Sequence, residues 1–385
     1  MKENLVSLTI EKVVAKGEGL AREGNKIWFV PFTLAHEKVL ATAITIKKQF
    51  IRGELVEIIE ASVDRVDPFC PYYGVCGGCD FQHVSYPKEV KIKEEIIVEN
   101  LKRIGNIELN QEHLLPSITG NNLGYRARVR FSVDQKEGKI GFLARSSHDV
   151  VDITSCPLLT PSLNELLSVK RNILLDMAKE IDPFKSHPFL NIPAFEGDYG
   201  EVTLDENEVK VSLLSTQLFV NAHLFFQSNK EMLTKMAHVV KDWCIGETIV
   251  DLYSGIGTFA SVIEGDNKRV FAVERDKKCL SLALKHLKFT TFITQDASSW
   301  IASLKKAKID TLIVDPPRTG LESSMIKDID RMNPTHFIYI SCDSATFSRD
   351  AALLKKVGYI IDKFIFVDMY PHTSHTETMA LFKRC

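Results

Sequence analysis

The residues beyond 226 carry a repeating pattern that restricts the fold more than any other feature of the chain. Stretches of helical periodicity alternate there with apolar, β-rich runs at 248–253, 269–274, 310–315, 337–341 and 360–368. Such alternation is typical of a doubly wound, mostly parallel sheet with helices on both faces. Ligands bind such sheets outside the carboxyl ends of the strands, so we expect the functional residues at that edge.

The remaining sequence predicts two further domains, which a length of 385 residues allows. Residues 1–60 contain short strands between glycine turns and predict a small β-barrel of the oligonucleotide-binding type. Residues 61–225 contain a cysteine-rich loop, a charged helix at 88–104, alternating strands and a helical stretch at 163–181. We therefore predict an α/β protein with an N-terminal barrel, a central α+β domain and a doubly wound domain at 226–385.

Charge and hydropathy limit the partners of the chain. The formal net charge of −2 gives no global sign of nucleic-acid binding, so local patches would have to meet such a partner. No apolar run approaches the length that spans a bilayer, and residues 1–4 do not begin a signal peptide. We expect a monomeric, cytoplasmic protein without a membrane partner.

A strand at 250–253 enters a G-x-G turn that contains Gly255 and then a helix. Alone, this pattern also fits a plain strand–helix turn. Glu274 ends the next strand, where a carboxylate can bind the ribose hydroxyls of an adenosine-containing cofactor. Asp296 ends the third strand, either near the adenine or as a helix N-cap. The acidic first strand, with Asp251, favours S-adenosylmethionine over a dinucleotide.

Three further polar residues follow strands at the same predicted edge. Asp315 precedes two prolines, which stiffen the turn after its strand. Cys342 follows the next strand and is either an inert packing residue or a nucleophile whose pKa neighbouring positive charge could lower. His375 and Glu377 border a proline-containing loop, and both residue types suit general acid–base chemistry.

The order of these motifs resembles that of the RNA uracil-5 methyltransferase family over nearly the whole chain. The matching segments are 225–229, 251–259, Glu274, 315–318, 341–342 and 375–377. The N-terminal part resembles the TRAM barrel of the ribosomal-RNA branch, which makes 23S ribosomal RNA the expected partner. The resemblance implies an S-adenosylmethionine site lined by Gln227, Tyr253, Thr258, Glu274 and Asp315.

The same resemblance implies that Cys342 is the nucleophile and Glu377 the base. Carbon 5 of uracil attacks a methyl donor only after a thiolate adds at carbon 6, and the target base must be flipped out of its stack. Asp315 would also hold the uracil edge. The family usually has Asn-Pro after the nucleophile, whereas Asp343 here places an anion that opposes thiolate formation. There are two alternatives to this function. The substrate could be a transfer RNA, or the protein could bind RNA with this fold without being a catalyst.

Four cysteines form a candidate metal site. Cys70, Cys76 and Cys79 have C-x5-C-x2-C spacing with small residues between them, and Cys156 could be a fourth ligand. Four thiolates suit either zinc or an iron–sulfur cluster. The family resemblance favours a [4Fe–4S] cluster with a structural or RNA-positioning role. The cysteines predicted to serve only packing or to lie on the surface are Cys244, Cys279 and Cys385.

Two segments of the central region could contact RNA. Arg126, Arg128 and Arg130 alternate along a predicted strand and would present one face to phosphates. Residues 81–83, Phe-Gln-His, could stack on unpaired bases.

Overall fold

The computed structural model describes residues 5–305 and 308–384. Residues 1–4 of the predicted barrel and the prediction for Cys385 therefore lie outside the described residues. No helix in the described ranges is both long enough and apolar enough to cross a membrane.

The N-terminal strands form one six-stranded sheet with the order β1-β5-β6-β4-β3-β2. They are β1 (Val6–Thr9), β2 (Lys12–Val14), β3 (Glu18–Glu23), β4 (Lys26–Pro31), β5 (Lys38–Ile46) and β6 (Phe50–Glu60). Strands β1 and β2 lie at opposite ends of this order but follow one another in the chain. The strands surround an apolar core that includes Trp28 and Val30. The predicted N-terminal β unit is confirmed, while its assignment as a barrel of the oligonucleotide-binding type stays a prediction.

The central region consists of a long helix, a five-stranded antiparallel sheet and a hairpin. Its elements are α1 (Tyr86–Arg103), β7 (Arg128–Asp134), β8 (Lys139–Leu143), β9 (Val150–Asp152), α2 (Pro161–Leu167), α3 (Arg171–Ile181), β10 (Leu190–Glu196), β11 (Val202–Thr203), β12 (Val209–Leu213) and β13 (Thr216–Val220). The sheet has the order β11-β10-β7-β8-β9. The helical stretch predicted at 163–181 is confirmed and consists of two helices, α2 and α3, with a break between Leu167 and Arg171.

The C-terminal residues form the predicted doubly wound sheet. Its elements are α4 (Lys230–Trp243), β14 (Thr248–Leu252), α5 (Ala260–Ile263), β15 (Arg269–Glu274), α6 (Lys277–His286), β16 (Thr290–Thr294), α7 (Ala297–Ser303), β17 (Thr311–Val314), α8 (Ser323–Met332), β18 (His336–Ser341), α9 (Ser344–Lys356), β19 (Tyr359–Val367) and β20 (Glu377–Arg384). The order is β16-β15-β14-β17-β18-β20-β19, and β20 alone among these strands runs antiparallel to its neighbours β18 and β19.

Apolar cores cover both faces of this sheet. Helices α4, α5 and α6 and the β12–β13 hairpin pack on one face. Helices α7, α8 and α9 pack on the other face, where Ile97 and Leu101 of α1 join the same core. Helix α1 is thus anchored on the C-terminal sheet although it precedes residue 226. The division into domains at 60 and 225 stays a prediction.

Candidate active site

The carboxyl edge of the parallel strands borders a cleft of about 860 Å³. The cleft contains every residue that the sequence predicts for catalysis or cofactor binding: Gln227, Tyr253, Gly255, Thr258, Glu274, Asp296, Asp315, Cys342 and Glu377. The crossover connections bring the residues that follow the parallel strands to this edge, and the antiparallel strand β20 begins at the same edge with Glu377.

Cys342 and Glu377 lie opposite one another across two antiparallel strands. The β18–β20 register pairs Ser341 with Thr378, so the next step along β18 pairs Cys342 with Glu377. Directly opposite residues on antiparallel strands point to the same face of the sheet. Cys342 is partly exposed to the cleft, whereas Glu377 is buried, and Glu377 Oε1 has no hydrogen-bond partner among residues 5–305 and 308–384. A thiol and an unsatisfied carboxyl group therefore share one corner of the cleft.

The electrostatics of this corner favour uncharged side chains. Burial raises the pKa of the Cys342 thiol to about 12, and the carboxyl groups of Glu377 and Asp315 add to the shift. Burial, together with the charge of Asp315, holds the pKa of Glu377 well above its usual range. Burial also raises the pKa of Asp315 to about 7. Arg318 is the neighbouring cation that opposes the shifts of Cys342 and Glu377.

Asp343 also plays a local structural role. Its side chain accepts a hydrogen bond of 2.7 Å from the backbone N–H of Thr346 and so caps helix α9. An N-cap carboxylate is stabilised by the partial positive charge of the helix N-terminus. Among the causes that raise the pKa of Cys342, Asp343 follows burial, Glu377 and Asp315. The carboxyl groups of Glu377 and Asp315 therefore oppose formation of the Cys342 thiolate more than that of the adjacent Asp343 does.

The opposite wall of the cleft has the features of an adenosine site. Gly255 has φ of +56°, and a Cβ placed there would meet no atom within 4 Å, so its backbone faces open space. Glu274 accepts hydrogen bonds from the backbone N–H groups of Gly255 and Asp276 at 3.1 and 2.9 Å. Each carboxylate oxygen keeps acceptor capacity for a ribose hydroxyl. These residues fit an S-adenosylmethionine ligand.

Two acidic residues near this wall have backbone partners. Asp296 lines the cleft and also accepts from Ser299 N, so it is the N-cap of α7 as well as a candidate cofactor contact. Asp251 lies on β14, just before the turn, and accepts from Ala260 N at 3.1 Å. Burial raises the pKa of Asp251 to about 8. Its contribution is to the shape of the turn.

Several cleft residues were missed as site residues from the sequence. Tyr370 donates a hydrogen bond to Gln227 Oε1 at 3.2 Å. Arg318 contacts His375 at 3.1 Å, and burial followed by the charge of Arg318 lowers the pKa of His375 to about 4. Arg318 could have been selected because it directly follows Asp315 and the two prolines. Nothing in the local pattern distinguishes Tyr370 from a packing tyrosine.

Cys70, Cys76, Cys79 and Cys156 line one small cavity of the central region. None of the four forms a disulfide. A Cβ built on Gly78 would lie 3.5 Å from Cys76 Sγ, so the sulfur packs closely on a residue without a side chain. In the described part of the chain, however, no group of three or more His, Cys, Asp or Glu side chains has an arrangement that could hold a metal ion. The donor set suits a metal site, while its sulfurs are not drawn together as a single metal ion requires.

One of the two RNA contacts expected from the sequence is contradicted by the structure. Phe81, Gln82 and His83 are buried, with exposed fractions of 1%, 2% and 1%, so they cannot stack on bases.

Arg126 precedes β7 and lies 5.8 Å from the ring centre of Phe142. The guanidinium of Arg128 stacks in the same way on the exposed ring of Phe225 at the cleft. The three arginines alternate with the buried residues Ala127 and Val129, so they share one face as predicted, and their contact with RNA stays a prediction.

Fold and site together define the class of an S-adenosylmethionine-dependent methyltransferase. A crystal structure of the Pyrococcus abyssi tRNA (uracil-54, C5)-methyltransferase in complex with S-adenosyl-L-homocysteine superposes with a TM-score of 0.74. The superposition covers 97% of this chain and 100% of the other at 22% sequence identity, so the two proteins share the fold.

Sequence comparison identifies the family. The family described as tRNA (Uracil-5-)-methyltransferase matches residues 301–385. A 23S rRNA (uracil(1939)-C(5))-methyltransferase of Shewanella woodyi is 30% identical over 98% of this chain and 96% of its own length. An uncharacterized RNA methyltransferase of Clostridium acetobutylicum is 28% identical over 100% and 98%, respectively. The chain belongs to the RNA uracil-5 methyltransferase family, as the motifs in its sequence predict.

Proposed function

We propose that this protein methylates carbon 5 of a uridine in 23S ribosomal RNA through a covalent adduct of Cys342. The observation that carries the mechanism is the cross-strand pairing of Cys342 with Glu377 at the cleft. The identity of the RNA is supported by the Shewanella woodyi relative, which aligns over almost its full length. We further propose that the protein acts as a cytoplasmic monomer.

In the first step, the thiol of Cys342 loses its proton to solvent, and the resulting thiolate forms a bond between Sγ and carbon 6 of the flipped uracil. The electron pair of the C5–C6 double bond moves to carbon 5 and the adjacent carbonyl, which makes carbon 5 nucleophilic. Asp315, with its pKa near 7, can donate a hydrogen bond to the uracil edge while it is protonated. S-adenosylmethionine, when bound, supplies an electrophilic methyl group on a positively charged sulfonium.

In the last step, Glu377 removes the proton from carbon 5 of the methylated adduct. The C5–C6 double bond forms again, the bond between carbon 6 and Sγ breaks, and the thiolate of Cys342 leaves. Burial that raises the pKa of Glu377 also makes its carboxylate a stronger base once the proton is lost. Gln227, Tyr253, Thr258, Glu274 and Asp296 are proposed to bind the donor.

We also propose that the four thiols of the cysteine-rich region hold a [4Fe–4S] cluster. They line one cavity, and the loop packs closely on Cys76 Sγ at Gly78, where a Cβ would lie 3.5 Å from the sulfur. A cluster distributes its four bonds to cysteine over several iron atoms, whereas zinc needs all four sulfurs around one point. Cluster binding is proposed to shape the central region and takes no part in methyl transfer.

The covalent mechanism predicts opposite defects for the two catalytic residues. Cys342→Ala should reduce methyl transfer to a 23S ribosomal RNA fragment at least about a thousandfold, because the nucleophile is lost. Glu377→Gln should instead accumulate a denaturant-resistant protein–RNA adduct, because elimination needs the base. Gel electrophoresis with labelled RNA and labelled methyl donor measures both effects.

Lys102→Met, on the exposed surface of α1, serves as the control and should behave like the wild type. Equal methylation of uracil carbon 5 by wild type and Cys342→Ala would rule out the covalent mechanism. Methylation of transfer RNA in place of the ribosomal fragment would contradict the proposed substrate. Binding of RNA without any methyl transfer would favour a non-catalytic RNA-binding protein.

A further inference from the structure

The loop between β19 and β20, residues 368–376, leads directly into Glu377 and is held by residues far away in the sequence. The backbone N–H groups of Asp80 and Phe81 donate to His372 O at 2.9 and 3.2 Å. The side chain of Asp80 accepts a hydrogen bond of 2.8 Å from Ser374 N. The cysteine-rich loop therefore binds the β19–β20 loop by hydrogen bonds, and the contact at Ser374 lies three residues before the proposed base.

Asp80 is itself held in place. Its Oδ1 forms an ion pair of 2.6 Å with Arg145 Nη1, and Tyr73 donates to its backbone carbonyl at 2.8 Å. The Arg145 guanidinium lies 4.8 Å from the ring centre of Phe32 of the N-terminal region. Only 15% of the Asp80 side chain is exposed. The carboxylate thus uses one oxygen for Arg145 and the other for Ser374.

The other side of the same loop is held by helix α1. Glu89 Oε1 accepts from His372 N at 2.7 Å, and Lys93 Nζ donates to Tyr370 O at 3.1 Å. Both polar backbone atoms of His372 are consequently occupied, one by the cysteine-rich loop and one by α1. The path of the chain into Glu377 is therefore set by the central region.

Cys342 is placed by different contacts. It follows β18 directly and precedes Asp343, the N-cap of α9. The contacts of Asp80 reach the β19–β20 loop and do not include this strand–helix junction. Loss of the Asp80 carboxylate should therefore disturb the base more than the nucleophile.

We propose that Asp80 is a positioning residue whose carboxylate aligns Glu377 with carbon 5 of the covalently bound uracil. This inference rests on the proposed covalent mechanism. The step that depends on Asp80 is the transfer of the carbon-5 proton to Glu377, with re-formation of the C5–C6 double bond and cleavage of the C6–Sγ bond. Addition of Cys342 to carbon 6 precedes this step and does not use Asp80.

The test compares Asp80→Ala and Asp80→Asn with wild type on two RNA substrates. A 5-fluorouridine RNA traps the adduct, because fluorine replaces the proton that Glu377 removes, so its trapping rate reports the steps up to methyl transfer. Ordinary RNA reports elimination as well. Asp149→Asn is the matched control, since Asp149 is an exposed acid of the neighbouring hairpin that bonds only locally to Ser147 and Ala144.

For Asp80→Ala we expect turnover on ordinary RNA to fall about tenfold to a hundredfold, the cost of a misplaced catalytic group. Adduct should accumulate on this RNA, while trapping by 5-fluorouridine RNA stays within about threefold of wild type. Asp80→Asn keeps an oxygen for Ser374 N and should restore most of the turnover. Asp149→Asn should leave both rates unchanged.

A parallel fall of trapping and turnover, or no change in either, would overturn the role of Asp80. If Asp80→Ala does not fold, Arg145→Met removes the ion pair that orients the carboxylate and should accumulate adduct in the same way. Cys342→Ala tests the underlying mechanism separately. If that variant still methylates RNA, the covalent mechanism fails whatever Asp80 does.

Discussion

The thiol of Cys342 lies in surroundings that oppose its ionisation. Burial is the largest cause, and the carboxyl groups of Glu377 and Asp315 add negative charge around it. These surroundings favour the thiol over the thiolate. The cation that favours the thiolate is Arg318, at the mouth of the same cleft.

This balance predicts how alkylation of Cys342 depends on pH. The pKa of about 12 means that the rate of reaction with iodoacetamide should rise about tenfold per unit between about pH 7 and pH 10. At about pH 8, Asp315 is mostly charged, so Asp315→Asn should lower the thiol pKa and speed alkylation at least about threefold. Arg318→Gln should raise the pKa and slow the reaction. Mass spectrometry of the Cys342 peptide measures the rates.

The Cys342→Ala variant provides the background from other cysteines in this experiment. Faster alkylation of Arg318→Gln, or an unchanged rate in both variants, would show that these charges do not control the thiol. A midpoint near the ordinary pKa of a cysteine would contradict the effect of burial.

At the level of elements, helix α1 is fixed to the C-terminal sheet by a buried charged group. Lys93 has no exposed surface and forms ion pairs of 2.7 Å with Glu89 and 2.8 Å with Asp368, which follows β19. Burial alone would lower the pKa of Lys93, but the two carboxylates raise it above its usual value. The ion pairs join α1 to the start of the loop that leads to Glu377.

Replacement of Lys93 by Met should therefore destabilise the protein strongly. The variant leaves Glu89 and Asp368 buried without their cation, and breaking such a pair costs about 3–5 kcal/mol of the free energy of unfolding. Urea denaturation measures the loss. Lys102→Met is the matched control on the same helix, because the pair between Lys102 and Glu108 is largely exposed and should contribute little. Equal stability of the two variants would contradict a structural role for the buried pair.

The sequence predicted the elements well where one local rule controls them. Apolar β-rich runs located β14, β15, β17, β18 and β19 to within about two residues, as is usual for boundaries. Polar strand ends located Asp315 and Cys342 because a doubly wound sheet brings such ends together. Asp343 caps α9, in keeping with the N-cap signal of an Asp directly before a helix.

Other features depend on contacts between distant segments and leave no local signal. Lys93 has the sequence context of a surface lysine, yet its partner Asp368 follows 275 residues later. The same holds for Asp80, whose partner Ser374 lies in the last strand connection. Phe81 and His83 were expected to meet RNA, but they are packed beneath the N-terminal β unit and α1.

At the scale of the whole molecule, the cysteine-rich loop connects all parts of the enzyme. It contacts the β8–β9 hairpin through the bridge between Cys76 and Ala144, and it holds the β19–β20 loop through Asp80. Its shape therefore affects both the RNA-facing side of the cleft and the proposed base. A cluster held by its cysteines would fix that shape without contacting the substrate.

The cluster proposal predicts the metal content of the intact protein. Anaerobically purified enzyme should contain about four iron atoms and four sulfides per chain, with broad visible absorption. Cys156→Ala should lose most of the iron because it removes one ligand from the cavity. Cys244→Ala is the matched control, since Cys244 does not line that cavity, and it should keep the full iron content. About one zinc per chain, or equal iron in both variants, would contradict a [4Fe–4S] cluster at these four cysteines.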